Sequence, residues 1–114
     1  MNPKPADLIM KSVTEVIQKL PGKFQSEAAE GMSVVFQFLI DDSRYFSLNI
    51  ADQRCVVSEQ EHPDPDVTLI MDSQTFIDVI EGELGGTSAF MSGRLRAEGD
   101  IMLATKLTSL FKRK

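Results

Sequence analysis

The chain has 114 residues, enough for one domain with a real core (residues 1–114) and too few for a second. Its 12 basic and 17 acidic residues leave a net charge of -5, which excludes the basic stripe of a general nucleic-acid binder, so no nucleic-acid partner is expected. A single cysteine, Cys55, excludes an internal disulfide and points to a reducing, cytoplasmic setting.

The polar start, Met1 to Asp7, lacks the apolar core of a signal peptide, and no apolar run approaches the ~20 residues of a membrane span. From Pro5, the residues Leu8, Ile9, Val13, Val16, Ile17 and Leu20 recur with helical period, and Pro21-Gly22 marks the expected stop. The period then changes to two. Met32, Val34, Phe36, Phe38 and Ile40 form the apolar face of a long strand. Asp41 to Arg44 turns into a second strand carrying Phe46, Leu48 and Ile50, and Ala51 to Arg54 turns into a third at Cys55 to Ser58. Such short connections make antiparallel neighbours.

After a loop around His62-Pro63, the residues Val67, Leu69 and Met71 alternate as a fourth strand. Asp72-Ser73 offers an N-cap to a short helix with Phe76, Ile77, Val79 and Ile80 on its face, closed by Gly82. Thr87 or Ser88 can cap a single turn bearing Ala89, Phe90 and Met91. Leu95 and Ala97 mark a fifth strand ending at Gly99. Asp100 caps a last helix carrying Leu103, Ala104, Leu107, Leu110 and Phe111. The order predicts an α+β fold, a mostly antiparallel sheet with helices packed on one face.

Several chemistries lack their residues. Five of the seven glycines lie between Gly82 and Gly99, yet Gly86 and Gly93 enclose six residues and Arg94-Leu95 follows, so no phosphate loop is present. Those glycines read as caps and turns. The sole histidine, His62, is expected as a solvated loop residue, with no partners at metal-ligand spacing and no nucleophile elbow for a triad. No catalytic residue, metal or cofactor is expected. Lys112-Arg113-Lys114 complements the end of a terminal helix dipole; at most it allows peripheral membrane contact, because it falls short of the about four to eight cations of a polybasic motif.

What stands out is the apolar inventory of seven Phe and six Met, most of it on predicted inward faces. Composition favours the simpler of two readings without separating them: an ordinary filled core, ahead of a pocket with few polar groups suited to a lipid.

The segments "VVFQFLIDDSRYFSLNIAD", "PDVTLIMDSQTFIDVIEGEL" and "AFMSGRLRAEGDIMLATKLTSLF", in this order, resemble the sterol carrier protein 2 domain from about Met10 to Phe111. The most specific piece is Phe90-Met91-x-Gly93-x-Leu95, then Gly99-Asp100 and Leu103-Ala104-x-x-Leu107. The resemblance implies a five-stranded, mainly antiparallel sheet. It also implies an apolar tunnel between sheet and helices for an acyl chain, phospholipid, isoprenoid or sterol-like ligand, bound without catalysis. Carried over, it makes Phe90, Met91, Leu95, Met102, Leu103 and Leu107 wall candidates, with Phe36, Phe38, Met71, Phe76 and Ile80 from the strands and the middle helix.

Two departures stand out. Asp52-Gln53-Arg54 replaces the family's usual Asp-Gly at the second hairpin, and Lys112-Arg113-Lys114 is not a peroxisomal targeting tripeptide. A free-standing, bacterial-type cytoplasmic domain is therefore expected. The resemblance also leaves room for an accessory, protein-binding module of membrane-quinone biosynthesis. Val35 and Leu39, opposite Phe36 on the first strand, are the expected homodimer or partner surface if that face is exposed.

Overall fold

The computed structural model describes the backbone of residues 5–111 and the side chains of residues 13–107 and 109–111. Leu8, Ile9 and Lys112-Arg113-Lys114, noted above, lie outside the described side chains. The elements run α1 (Pro5–Lys23), a 3-10 turn (Ser26–Ala29), β1 (Val34–Ile40), β2 (Arg44–Ala51), β3 (Arg54–Ser58), β4 (Val67–Met71), α2 (Ser73–Glu81), α3 (Gly86–Met91), β5 (Leu95–Gly99), α4 (Ile101–Lys106) and a second 3-10 turn (Leu107–Leu110).

Alternation of side chains makes the sheet two-faced. Phe36, Phe38 and Ile40 of β1, Phe46, Leu48 and Ile50 of β2, and Val67, Leu69 and Met71 of β4 are all buried on the inner face. The helices cover that face, with Val13, Ile17 and Leu20 of α1 and Phe76 and Val79 of α2 completing the core. The strand order is β3-β2-β1-β4-β5. All neighbours are antiparallel except β1 and β4, which run parallel and make the sheet mixed. The cause is the crossover from β3: residues 59–66 pass over the outer face to reach the far side of β1. Gln37 anchors them there, only 4% exposed, accepting from the His62 backbone N–H (2.7 Å) and donating to Thr68 Oγ1 (3.2 Å). His62 lies in this loop as expected, half-buried where a solvated side chain was anticipated, its Nδ1 accepting from the Asp64 N–H.

Three boundaries differ from the sequence reading. The first helix continues through Pro21 to Lys23, because a proline in the last turn forfeits one donor while its carbonyl still accepts from Phe24 N–H (3.4 Å). The turn before β5 is capped by Gly85, without a side-chain bond, and Thr87 and Ser88 lie inside the helix. The last helix gives way after Lys106 to a 3-10 turn, and Phe111 bridges back to Phe24, their rings 5.8 Å apart.

The second hairpin turns at Asp52 (φ 53°) and Gln53 (φ 58°) between the paired residues Ala51 and Arg54. This is the two-residue turn with both central φ values positive that Asp-Gly favours, so the departure at Gln53 leaves the turn in place. A non-glycine residue there is strained by about 1–2 kcal/mol. Gln53 Nε2 offsets part of it by donating to the Ser26 carbonyl (3.1 Å). Glycine is required at Gly99 (φ 99°), where a Cβ would lie 2.5 Å from the Asp66 carbonyl oxygen.

Candidate functional site

A cavity of about 330 Å³ lies between the inner sheet face and α2, α3 and α4. Its floor is Phe38 of β1, Leu69 and Met71 of β4, and Leu95 and Ala97 of β5. Phe76, Val79 and Ile80 of α2 form one wall. Gly85, Gly86, Thr87, Ser88 and Phe90 form the second. Ile101, Ala104 and Thr105 of α4, with Leu107, form the third. No ionisable side chain is among these residues. The volume is at the lower end of the about 300–1,000 Å³ of small-molecule pockets.

Small residues leave the space open. Ala97 pairs with Leu69 on the sheet, where a larger inward side chain would occupy the volume beneath α4, and Ala104 stands on α4 itself. The lining residues that are also exposed (Gly85, Thr87, Ser88, Phe90, Ile101 and Thr105) belong to the α3 segment or α4. The mouth therefore opens between those two helices. At the closed end, the rings of Phe38 and Phe76 meet edge to face at 5.3 Å, an arrangement worth about 0.5–1.5 kcal/mol beyond burial.

Hydrogen bonds hold the walls in place. Asp41 accepts from the Ser73 N–H (3.0 Å) and from the Ser73 hydroxyl, tying the β1–β2 turn to the start of α2. Arg94 Nε donates to Thr75 Oγ1 (3.2 Å) and Nη2 reaches Asp78 (3.4 Å), joining α2 to the α3–β5 corner. The Asp100 N–H donates to the Asp66 carbonyl (2.9 Å), while its carboxylate accepts from the N–H groups of Met102 and Leu103, fixing where α4 starts. Asp72 caps α2 by accepting from the Thr75 N–H (2.7 Å), and that bond, reinforced by the Thr75 hydroxyl, holds its carboxyl below the usual range.

A depressed carboxyl stabilises the fold above its unfolded value of about 3.9, and that stabilisation is lost as pH falls through the lower folded value. Asp72→Ala is expected to cost about 1 kcal/mol at neutral pH in urea unfolding. The gap from wild type should narrow once acid protonates the cap; a gap that stays constant down to about pH 2 contradicts this assignment. Burial pushes the Cys55 thiol up to about 11, so it stays protonated and unreactive at neutral pH.

Of the eleven wall candidates, the structure places seven on the cavity: Phe38, Met71, Phe76, Ile80, Phe90, Leu95 and Leu107. Phe36 is wholly buried in the core away from it, and Leu103 is half-buried against the core. Met91 and Met102 point to solvent, 79% and 69% exposed. The difference is one of helix phase: α4 starts at Ile101, so Ile101, Ala104 and Thr105 face inward in place of Met102 and Leu103. Leu69, Val79, Ala97 and Ala104 also line the cavity, the alanines being the overlooked signal: small residues at inward positions of an otherwise bulky face. Among the described residues, no cluster of His, Cys, Asp or Glu could hold a metal ion, and no helix is long and apolar enough to cross a membrane.

The chain matches the SCP-2 sterol transfer family over residues 14–112 and belongs to it. It is 33% identical to the peroxisomal multifunctional enzyme type 2 of Mus musculus over 90% of this chain, which spans only 13% of that protein. Sterol carrier protein 2 like 2 from Aedes aegypti superimposes with a TM-score of 0.70 at 21% identity, covering 92% of this chain and 98% of that one. A ubiquinone synthesis protein, UbiJ-SCP2, does so at 0.68 and 17%, covering 95% and 96%.

Proposed function

We propose that this chain holds one hydrophobic ligand in the cavity and carries or presents it without reacting on it. The ligand class is an acyl chain, phospholipid, isoprenoid or sterol-like molecule, the setting the cytoplasm. The observation that carries this reading is the cavity: an open, uncharged, apolar space walled by sheet and three helices. Burying roughly 300 Å² of ligand apolar surface supplies about 7 kcal/mol before the entropy losses of binding. The walls discriminate chain length weakly, since one methylene is worth about 1–3 kcal/mol. A charged head group finds no counter-ion in the lining and stays at the mouth, beside Thr87, Ser88 and Thr105.

The seven lining residues named from sequence, with Leu69, Val79, Ala97 and Ala104, are the proposed ligand contacts. Native mass spectrometry of the purified protein is expected to reveal co-purified lipid. Thermal shift with fatty acids, acyl-CoA and isoprenoid quinones is expected to raise Tm, because a ligand at a hundredfold its Kd adds about 2.7 kcal/mol. No bound lipid, and no shift with any class at saturation, overturns the reading.

A second reading, an accessory module holding a hydrophobic intermediate for another protein, uses the same cavity and adds a partner surface. The outer sheet face offers one, where Leu39 stands between Tyr45 and Ile70, all three half-buried, with Val35 on the same strand; it is also the face a homodimer would use.

A further inference from the structure

Two pairs of large apolar side chains flank the cavity mouth. Phe90 and Met91 end α3, 44% and 79% exposed; Ile101 and Met102 begin α4, 50% and 69% exposed. Among the described residues, the one other large hydrophobe so exposed is Val56, on the opposite edge strand of the sheet. Single exposed apolar residues need no explanation, but a group around an opening does. Phe90 and Ile101 also line the cavity, so each pair has one member that belongs both to the exposed rim and to the inner wall.

The rim is also free of charge. Residues 85–93 and 101–105 contain no ionisable side chain in a chain that is 25% charged, so the rim differs from the surface around it. The bordering charges are engaged elsewhere: Arg94 with Thr75 and Asp78, and Asp100 with the first N–H groups of α4. Lys106, in the last turn of α4, is the cation at the far end.

We infer that this rim docks on the surface of a lipid bilayer, with the four apolar side chains entering the interface and the mouth facing the membrane. The inference rests on the lipid-holding reading of the cavity. A protein seated on the rim would stopper the mouth, whereas a bilayer covers the rim and passes an apolar tail inward without exposing it to water. A charge-free rim on a chain of net charge -5 fits the apolar boundary of the bilayer and not its anionic head groups.

Vesicle co-sedimentation of the full chain tests this, with vesicles of phosphatidylcholine alone and of phosphatidylcholine with phosphatidylserine, each at low and high salt. Equal binding to both, unchanged by salt, is expected. Met91→Glu combined with Met102→Glu, two exposed positions outside the cavity wall, should weaken it by about tenfold or more. Solution binding of a fluorescent fatty acid should stay as in the wild type, which also shows the double variant to be folded. Vesicle binding by the variant equal to wild type overturns the inference. So does binding that requires phosphatidylserine, no vesicle binding at all, or a wild-type dimer that dissociates in the variant. Vesicle binding lost in the variant, with no fatty-acid uptake even by the wild type, upholds the docking surface and removes the lipid-holding reading.

Discussion

Ala97→Phe is expected to abolish ligand binding while leaving the protein as stable as the wild type or more so. Ala97 is half-buried on the inner face of β5, paired with Leu69 and lining the cavity. A phenyl ring at this position projects into the space beneath α4. Filling an open apolar cavity restores packing contacts that its walls lack. Forcing the same ring into an already filled core would cost about 1–3 kcal/mol. One variant therefore separates the tunnel from the filled core that composition left undecided. The expected result is at least about a tenfold loss in affinity for a fluorescent fatty acid, with no fall in Tm. Ala104→Phe on the opposite wall should act in the same direction, and the pair together more strongly. Undiminished affinity in the double variant would place the ligand elsewhere.

The second large effect is expected at Phe38. Its ring is fully buried, packs edge to face on Phe76 and forms part of the cavity floor. Phe38→Ala should lower the unfolding free energy by about 3–5 kcal/mol, a large share of the roughly 5–15 kcal/mol that holds a domain together. The lost ring also joins its volume to the cavity. A saturating bulky ligand should therefore restore more stability in this variant than in the wild type. Leu48→Ala is the control: Leu48 is equally buried on β2 but does not line the cavity. It should lose about 2–5 kcal/mol and gain nothing extra from ligand. Urea unfolding with and without ligand decides; equal ligand increments in both variants would disconnect Phe38 from the site.

Legibility followed the strength of local signals. The sheet was readable because Phe36, Phe38 and Ile40, then Phe46, Leu48 and Ile50, then Val67, Leu69 and Met71, each repeat with period two. Asp72, Gly82, Gly99 and Asp100 announced their caps and turns through chemistry that few other residues supply. The parallel pairing of β1 with β4 was not readable, because it depends on residues 59–66 carrying the chain across to the far side of β1 instead of folding β4 back on β3. Gln37, whose side chain holds that crossing, looks in sequence like any outward polar residue.

The candidate site divides in the same way. Seven of the eleven named residues sit on the cavity because they belong to strands or to α2, where the repeat is long enough to fix a face, or because, like Phe90 and Leu107, they are large apolar side chains beside it. The four that do not line it include Met91 and Met102 from two six-residue helices. Each residue step along a helix rotates the side chain by about 100°, and over six residues the repeat is too short to fix which of two adjacent apolar residues faces inward.

By itself the sequence determined the α+β class, the five strands with their inner faces, and the Asp72 and Asp100 caps, because those follow from periodicity and from residue-specific backbone chemistry. Only the tertiary structure decided that Ala97 and Ala104 leave space between bulky neighbours and that Met91 and Met102 face outward. Cavity volume and helix phase depend on how separate elements meet, and no local pattern encodes that distance.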